Sequence, residues 1–306
     1  MSHFSEFDFS NMRRRSIKQR NSKVHISMFP QIPKEGQFRD IINYLPDILA
    51  GKALKQFASH IKRASQDGTM IIGMLGGHVI KCGLGPVLAD MAKRGFIGAL
   101  AGNGSIAIHD VEIALFGETS EAVENEIDEG LFGMTEETAD FINSAQIDAA
   151  KLNLGLGEIL GQRLSSAPHK EYSLLWQMHE LGLPITVHPM LGAEVIHPHP
   201  SFDGKALGEV AHRDFRIFTH NVSKMKNGLI MNFGSAVIMP EIFIKALSAA
   251  RNKGHDISGI IAANFDQIQH YRPTVNVLKR PTQANGEYFA FTGHHEIMIP
   301  LLAGLI

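Results

Sequence analysis

Cysteine is nearly absent from this sequence, which contains only Cys82 among its 306 residues. A lone thiol excludes an intrachain disulfide and a zinc cage built from several cysteines, and it fits a reducing compartment. Long apolar runs are missing as well, since none approaches the roughly 20 residues that span a bilayer. The polar start of the chain also lacks the apolar stretch of a secretory signal. We therefore expect a cytoplasmic protein without a membrane partner.

An excess of charge of one sign is also missing, because the formal net charge is only −2. This balance gives no overall attraction to nucleic acid, so we expect no nucleic-acid partner. A local basic cluster stands near the start of the chain, at Arg13, Arg14, Arg15, Lys18, Arg20 and Lys23. Such a cluster can hold a polyanion, but more often it is a solvated arm or packs on a neighbouring subunit.

The hydrophobic pattern changes at Thr69. From there, short apolar runs alternate with segments of helical periodicity, which is typical of buried parallel strands joined by helices. The predicted strands cover residues 69–75, 96–102, 184–188, 228–233, 257–264 and 287–293. This pattern predicts an α/β fold: a doubly wound, mostly parallel sheet with helices on both faces, in three layers, which is a Rossmann-like architecture.

The chain divides into a leading segment and one domain. We interpret residues 1–50 as a mostly irregular leading segment and residues 51–306 as a single Rossmann-like domain. Residues 119–167 differ from the rest of that domain, because they are acidic and follow a helical pattern. Their helical stretches open on Thr or Ser followed by Glu at the spacing of a capping box. The pattern predicts an inserted helical layer at about 119–167.

Open parallel sheets bind ligands at the carboxyl ends of their strands, so the residues after each predicted strand are site candidates. The first strand leads into a turn with Gly76, Gly77, Gly83 and Gly85. These glycines suit either a phosphate loop or tight strand-to-helix packing, and their spacing is not G-x-G-x-x-G. Other strand ends carry Asn103, Gly104, Ser105, His109, Asp110 and Glu112, then Asn232, Gly234 and Ser235, then Asn264, Asp266 and Gln267, then His294, His295 and Glu296. Together they indicate a polar cleft of dinucleotide size.

A histidine-rich loop follows the third predicted strand and contains His188, Glu194, His197 and His199. Imidazole and carboxylate groups at this spacing are typical of a metal-dependent hydrolase. They also occur where histidines form hydrogen bonds within the loop and have only a structural role. They equally suit proton transfer to a substrate, with His197 as acid or base and Glu194 orienting it. The residues alone leave these alternatives open, and we predict no metal site.

The stretch from Leu75 to Leu115, LGGHVIKCGLGPVLADMAKRGFIGALAGNGSIAIHDVEIAL, resembles the first NAD-contacting βαβ unit of deoxyhypusine synthases. Later segments resemble that family's later strands in the same order, namely LLWQMHELGLPITVHPMLGAEVIHPHP, GLIMNFGSAVIMPE, SGIIAANFD and FAFTGHHEIMIPLLAG. The resemblance covers roughly residues 69–115 and 170–306. It implies a deoxyhypusine-synthase-like fold and a homotetramer that binds NAD at subunit interfaces.

The resemblance also assigns roles to single residues. It places a substrate-contacting histidine at His197. It carries NAD contacts onto Gly77, His78, Lys81, Asn103, Gly104, Ser105, His109, Asp266 and His294. The position of the family's attacking lysine is occupied by Met239, which cannot form an imine. The family's acidic residues and tryptophan that bind the polyamine are also missing near Arg272, so a spermidine site is not expected.

We therefore expect an NAD-dependent enzyme that performs hydride chemistry on a small molecule other than spermidine. The expected cofactor contacts add Gly76, Asp110 and Asn264 from the strand ends to those implied by the resemblance. Three alternatives remain: a deoxyhypusine or homospermidine synthase that recruits another lysine such as Lys245, a non-catalytic regulatory nucleotide-binding protein, and a metal-dependent hydrolase.

Overall fold

The computed structural model describes residues 10–28 and 45–306 of the chain. Residues 1–9 and 29–44 of the predicted leading segment lie outside the described residues. The strands are β1 (Ser22–His25), β2 (Ile71–Leu75), β3 (Ala99–Asn103), β4 (Glu118–Glu121), β5 (Ile185–His188), β6 (Leu229–Phe233), β7 (Ile261–Asp266) and β8 (Glu287–Thr292). The helices are α1 (Leu49–Gln66), α2 (Gly77–Lys81), α3 (Gly85–Lys93), α4 (Gly104–Phe116), α5 (Val123–Glu126), α6 (Glu136–Leu152), α7 (Leu156–Arg163), α8 (Leu174–Glu180), α9 (Gly204–Val222), α10 (Ile238–Asn252) and α11 (His295–Leu305).

Six strands form one parallel sheet in the order β5–β3–β2–β6–β7–β8. Numbered along the chain within this sheet, the strands follow the 3-2-1-4-5-6 order of a Rossmann fold. The strand order reverses between β2 and β6, and such a reversal creates a crevice at the carboxyl ends of the two strands. The predicted α/β fold and all six predicted strands are confirmed.

Two apolar clusters cover the two faces of the sheet. Ile71 and Leu75 of β2 belong to one cluster, and Ile72 and Met74 belong to the other. The split arises because successive side chains of a strand point to opposite faces. Helices α1, α3, α4 and α11 contribute to the first cluster, whereas α10 and the end of α9 contribute to the second. The arrangement is therefore helix, sheet, helix, which confirms the three predicted layers.

The stretch at 119–167 is not helical throughout. Strand β4 occupies its start, where the sequence predicts helix, and pairs antiparallel with β1 of the leading segment. Pairing with a strand outside the domain core decides this local structure, because an isolated four-residue segment has little preference of its own. Helices α6 and α7 follow, with Thr138, Asn143 and Gln146 among the buried residues of α6.

The basic cluster near the start of the chain binds acidic residues of the same chain. Its most buried member, Arg20, contacts Glu112 of α4 at 2.8 Å and Glu121 of β4 at 3.4 Å. Arg14 pairs with Glu136 and Asp140 of α6, at 3.3 and 2.9 Å. The buried and half-buried arginines of the cluster are thus paired within the chain and not free for a polyanion, whereas Lys18 and Lys23 are exposed to solvent.

No helix in residues 10–28 and 45–306 combines the length and the apolar character needed to cross a bilayer.

Candidate functional site

The turns that follow β2, β3 and β6 contact one another. We use the name strand-end edge for the surface formed by these turns and by the residues after β7 and β8. A Cβ atom added to Gly77 would overlap with the Ser105 side chain, and one added to Gly76 would overlap with the Gly234 carbonyl oxygen. The Gly76 amide donates a hydrogen bond to the Phe233 carbonyl at 2.9 Å. The turns after Leu75 and Gly102 therefore lie side by side. The glycines act here in close loop-to-loop packing, which favours that interpretation over a phosphate loop.

Four buried polar atoms at the strand-end edge have no hydrogen-bond partner among the described residues. They are Asn103 Oδ1, Asn232 Oδ1, Asp266 Oδ2 and His295 Nδ1. Most buried polar atoms are paired, and an unpaired one costs about 1–3 kcal/mol. Such atoms also occur elsewhere, in Gln146 for example. At the strand-end edge, however, they come from β3, β6, β7 and the start of α11, so four elements along one edge of the sheet each offer an unused polar group.

Asn103 is the most informative of these residues. It occupies the N-cap position of α4, where an asparagine side chain commonly accepts a hydrogen bond from the first turn. Its side chain makes no such bond, and Oδ1 is buried without a partner among the described residues. The free amide of Gly104 is bound instead by the Glu194 carboxylate. An available cap is thus left unused, which is expected where a ligand takes that oxygen.

A chain of side-chain amides fixes the neighbouring part of the edge. Asn232 Nδ2 donates to Asn264 Oδ1 at 2.7 Å, and Asn264 Nδ2 donates to Gln269 Oε1 at 2.7 Å. Gln269 Nε2 continues to the Phe291 carbonyl at 3.0 Å. Asn264 uses both of its polar groups in this chain, so it positions Asn232 instead of offering a free group to a ligand.

Glu194 and His197 form a buried pair beside the start of α4. Gly192 donates its amide to His197 Nδ1 at 3.0 Å, so the imidazole proton of the neutral ring resides on Nε2, which lies 3.2 Å from Glu194 Oε2. Nε2 is buried and makes no hydrogen bond to the described residues. Burial raises the pKa of Glu194 to about 7 and lowers the pKa of His197. The pair can therefore accept or return a proton near neutral pH.

The other two histidines of this loop are held by the protein itself. His188 Nε2 lies 2.9 Å from Thr186 Oγ1, and complete burial lowers the pKa of His188 to about 3. His199 Nε2 lies 2.8 Å from the Gly133 carbonyl oxygen. Their imidazoles do not converge with His197 into a group of three metal-binding atoms within residues 10–28 and 45–306. Each of these two histidines thus has one ring nitrogen within hydrogen-bonding distance of the protein itself, although His199 Nδ1 is buried without a partner among the described residues.

His109 and Asp110 lie on α4 away from the unpaired atoms. His109 Nδ1 lies 2.8 Å from Thr119 Oγ1, and burial lowers the pKa of His109 to about 4. The Asp110 carboxylate accepts hydrogen bonds from the Leu174 amide at 2.7 Å and from the Ser173 hydroxyl at 2.5 Å. Asp110 therefore caps the start of α8. Both of its carboxylate oxygens accept hydrogen bonds from the protein itself.

Charged side chains gather at the rim of the strand-end edge. Lys81 is half-buried at the end of α2, and His294 directly precedes α11 with 63% of its side chain exposed. His78 and Cys82 lie next to Lys81, with His78 Nε2 3.3 Å from Cys82 Sγ. The sequence offers a signal for the pair of His78 and Cys82, because residues four apart meet on one helical face. It gives no signal for Glu296, whose Oε2 lies 4.0 Å from Cys82 Sγ.

A cleft of about 730 Å³ lies at the opposite, amino-terminal edge of the sheet. His60, Asn227, Gly259 and Glu287 contribute to its lining. Helix α1 ends beside this cleft, and a helix carboxyl end carries a partial negative charge that disfavours phosphate groups. The strand-end edge is therefore the better candidate for a dinucleotide.

A family model matches residues 55–144, which correspond to the C-terminal Rossmann fold of ArgZ-like arginine dihydrolases. Among curated proteins, a stretch of 65 residues is 40% identical to the ornithine cyclodeaminase of Methanothermobacter thermautotrophicus. That stretch covers 21% of this chain and only 16% of the archaeal protein.

Solved structures resemble a larger part of the chain. A provisionally assigned deoxyhypusine synthase from Entamoeba histolytica superposes with a TM-score of 0.55 at 12% identity, covering 89% of this chain and 96% of that one. A conserved protein from Methanococcus maripaludis S2, provisionally assigned as LOR/SDH, has a TM-score of 0.51 at 16% identity and covers 90% and 73%.

The ternary complex of AgrE with ornithine and NAD⁺ has a TM-score of 0.53 at 14% identity. It matches 83% of this chain, which spans 32% of the AgrE chain. At these identities the likenesses establish the fold: this chain has the Rossmann-like architecture found in deoxyhypusine-synthase-like, LOR/SDH-like and ArgZ-like proteins.

Proposed function

We propose that this chain binds NAD at the strand-end edge and catalyses the oxidation of an amine-bearing carbon of an amino acid, as a cyclodeaminase-type enzyme does. The observation that carries the proposal is the set of four unpaired buried polar atoms beside the reversal of strand order. Support for the substrate class comes from the local 40% identity to an ornithine cyclodeaminase and from the fold shared with AgrE, which was crystallised with ornithine and NAD⁺.

The residues present fit a dinucleotide. Asn103 and Asn232 offer acceptors for ribose or amide groups, and Asp266 offers a carboxylate oxygen for a ribose hydroxyl. Ser105 lies beside Gly77, and the charge of Lys81 is available to a phosphate. Bound NAD would supply a reversible two-electron oxidation.

Glu194 and His197 have the properties that the proton transfers of such a reaction require. An amino acid enters with its amine protonated, and the amine must lose a proton before the adjacent C–H bond can be oxidised. Glu194, with a pKa of about 7, accepts that proton, and His197 Nε2 donates a hydrogen bond to the substrate. The two carboxylate contacts from the Met190 amide, at 2.8 and 3.0 Å, hold Glu194 in place.

Aminobutyl transfer has no comparable support. Met239, at the position of the family's lysine, is fully buried in the apolar cluster beneath α10. Lys245, the alternative lysine, is 62% exposed and forms an ion pair with Glu241 on the same helix. A lysine committed to a surface pair two turns along α10 is poorly placed to attack a substrate at the strand ends.

A homo-oligomer remains part of the proposal. Exposed apolar side chains follow three strands of the sheet, at Leu191 after β5, Ile268 and Tyr271 after β7, and Ile297 in α11. A second copy of the chain would cover these side chains and enclose the strand-end edge. Sedimentation equilibrium of the purified chain measures its mass directly, and a monomer at micromolar concentration would contradict this part.

The test of the proposed function uses two measurements on the same protein. Calorimetric titration with NAD and NADP is expected to show one dinucleotide per chain. Incubation of the NAD complex with ornithine and other amino acids is expected to release ammonia and to produce transient nicotinamide absorbance. A folded protein that binds neither dinucleotide would overturn the proposal. Dinucleotide binding without turnover of any amino acid would instead favour the regulatory alternative.

A further inference from the structure

Three side chains with metal-binding atoms converge where the end of α2 meets the start of α11. His78 lies on α2, Cys82 directly follows that helix, and Glu296 belongs to the first turn of α11. His78 Nε2 is 3.3 Å from Cys82 Sγ, which is 4.0 Å from Glu296 Oε2. All three ligand atoms lie within 4.8 Å of one another. The cluster therefore joins a local pair with a residue more than 200 positions away.

These separations match the geometry of tetrahedral zinc. With Zn–N of about 2.0–2.1 Å and Zn–S of about 2.3 Å, tetrahedral angles place neighbouring ligand atoms about 3.4–3.6 Å apart. The two separations from Cys82 Sγ, 3.3 and 4.0 Å, lie on either side of that range. Small rotations of His78 and Glu296, whose side chains are exposed, are enough to reach it. A set of one nitrogen, one sulfur and one oxygen also suits zinc better than magnesium or calcium.

The protonation of the Cys82 thiol distinguishes a metal ligand from a catalytic nucleophile. Burial raises the pKa of Cys82 to about 11, so the free thiol remains protonated at neutral pH and is a poor nucleophile. A bound divalent ion reverses this preference, because a coordinating thiol loses its proton. Burial and the neighbouring His295 lower the pKa of His78, which keeps its imidazole in the neutral form that binds metals.

The surrounding charges are compatible with a divalent cation. A Cys82 thiolate and the Glu296 carboxylate together carry the two negative charges that a divalent ion neutralises. Lys81 lies nearby and opposes a cation, while His294 Nδ1 is 3.7 Å from Glu296 Oε1 and can orient that carboxylate. The cluster thus combines matched charge with an outer partner for one ligand.

We propose that His78, Cys82 and Glu296 bind one zinc-type divalent ion at the strand-end edge. Three protein ligands leave a fourth position, which is the arrangement of zinc sites that bind a water or a substrate group. The proposal does not depend on NAD chemistry, and it is distinct from the histidine-rich loop, since neither His197 nor His199 belongs to the cluster.

Cobalt substitution tests the proposal on tag-free protein. Cys82 is the single cysteine of the chain, so a thiolate-to-cobalt charge-transfer band can come from no other residue. Titration of metal-free protein with Co²⁺ is expected to produce this band together with tetrahedral visible bands, and Zn²⁺ is expected to displace the cobalt at one equivalent per chain. Loss of a residue that only supports a metal ligand lowers metal affinity about 10- to 100-fold. Cys82 and His78 are proposed as direct ligands, so Cys82→Ser and His78→Ala are each expected to lower Zn²⁺ affinity at least about 100-fold.

A matched control and a measurement on the unmodified chain keep the test independent of folding. The control is His60→Ala. His60 lies outside the cluster and also pairs with a glutamate, with His60 Nε2 3.0 Å from Glu287 Oε2. The Zn²⁺ affinity of this variant is expected to equal that of the wild-type chain. In the wild-type chain, Zn²⁺ at 100 times its Kd is expected to slow thiol modification of Cys82 about 100-fold. Cobalt binding without a thiolate band, or thiol modification that Zn²⁺ leaves unchanged, would overturn the site.

Discussion

Two buried polar regions of this molecule differ in how completely their hydrogen bonds are satisfied. Around Arg20, the guanidinium donates to both oxygens of Glu112, at 2.8 and 3.2 Å. Thr119 and Thr138 donate to the same carboxylate, at 2.5 and 3.0 Å. We call these four residues the Arg20 cluster. Every charged group in it has a partner in the same chain, so nothing further is needed to stabilise it.

The strand-end edge is the opposite case. Asn103, Asn232, Asp266 and His295 each keep a buried atom without a partner among the described residues. Both regions are buried and polar, and composition does not distinguish them. The comparison separates a cluster whose charged groups are all paired from an edge whose buried polar atoms are unpaired, and the proposed ligand would supply the missing partners at that edge.

The largest expected effect comes from breaking the Arg20 cluster. Arg20→Ala leaves the Glu112 carboxylate buried without its counter-charge, and breaking a buried ion pair in this way costs about 3–5 kcal/mol. Urea denaturation measures the change in the free energy of unfolding. Arg14→Ala is the control: it removes a partly exposed pair and is expected to cost at most about 1 kcal/mol. Equal losses from the two variants would contradict the comparison.

The second prediction concerns the strand-end edge. Asn103→Ala removes a buried oxygen that bonds to nothing described in the chain. Because an unpaired buried polar atom costs about 1–3 kcal/mol, we expect the free energy of unfolding without ligand to stay the same or to rise by up to that amount. The same change removes one proposed NAD hydrogen bond and is expected to weaken NAD binding about tenfold, measured by calorimetry.

Asn252→Ala, at the exposed end of α10, serves as its control and is expected to change neither quantity. If Asn103→Ala lowered stability by several kcal/mol and left NAD affinity intact, Asn103 would belong with the structural residues.

The third prediction distinguishes the regions by pH. The pKa of Glu194, about 7, lies above the value of about 4.3 for an unfolded glutamate. Folding therefore favours the protonated acid, and the contribution of Glu194 to stability is present at low pH and declines as the pH rises through 7. Unfolding measured from pH 5 to 8 should show wild-type stability falling relative to Glu194→Gln.

Asp214, whose pKa burial also raises to about 7, titrates in both proteins and cancels in that difference. A difference that stays flat across this range would mean that the Glu194 carboxyl is already ionised at pH 5. Above pH 7, where Glu194 is ionised, the wild-type turnover rate is expected to reach its maximum because the carboxylate can then accept a proton.

The sequence predicted the sheet because strands β2, β3, β5, β6 and β7 are buried along nearly their whole length and therefore read as apolar runs, as IIGML of β2 does. The edge strand β8 instead mixes buried and exposed residues. The residues that follow each strand were predicted as well, since they depend only on chain position. The sequence also predicted the pairing of Glu194 with His197, because the two residues are only three positions apart in one loop.

Other features depended on contacts that no local pattern records. The counter-charges of the basic cluster lie about a hundred positions further along the chain, so the sequence alone favoured a solvated arm or a subunit contact over a polyanion site and did not reveal these ion pairs. Asp110 follows a strand and is polar, as a ligand contact would be, yet the free amides of α8 occupy its carboxylate.

By itself, the sequence determined the strands of the parallel sheet and the helices that cover it, since hydrophobic periodicity and glycine positions act over a few neighbouring residues. Only the tertiary structure decided which polar groups satisfy one another and which remain available, and it alone brought Glu296 to Cys82. The physical reason is that hydrogen bonds and metal coordination act over about 3 Å in space, a distance that sequence separation does not determine.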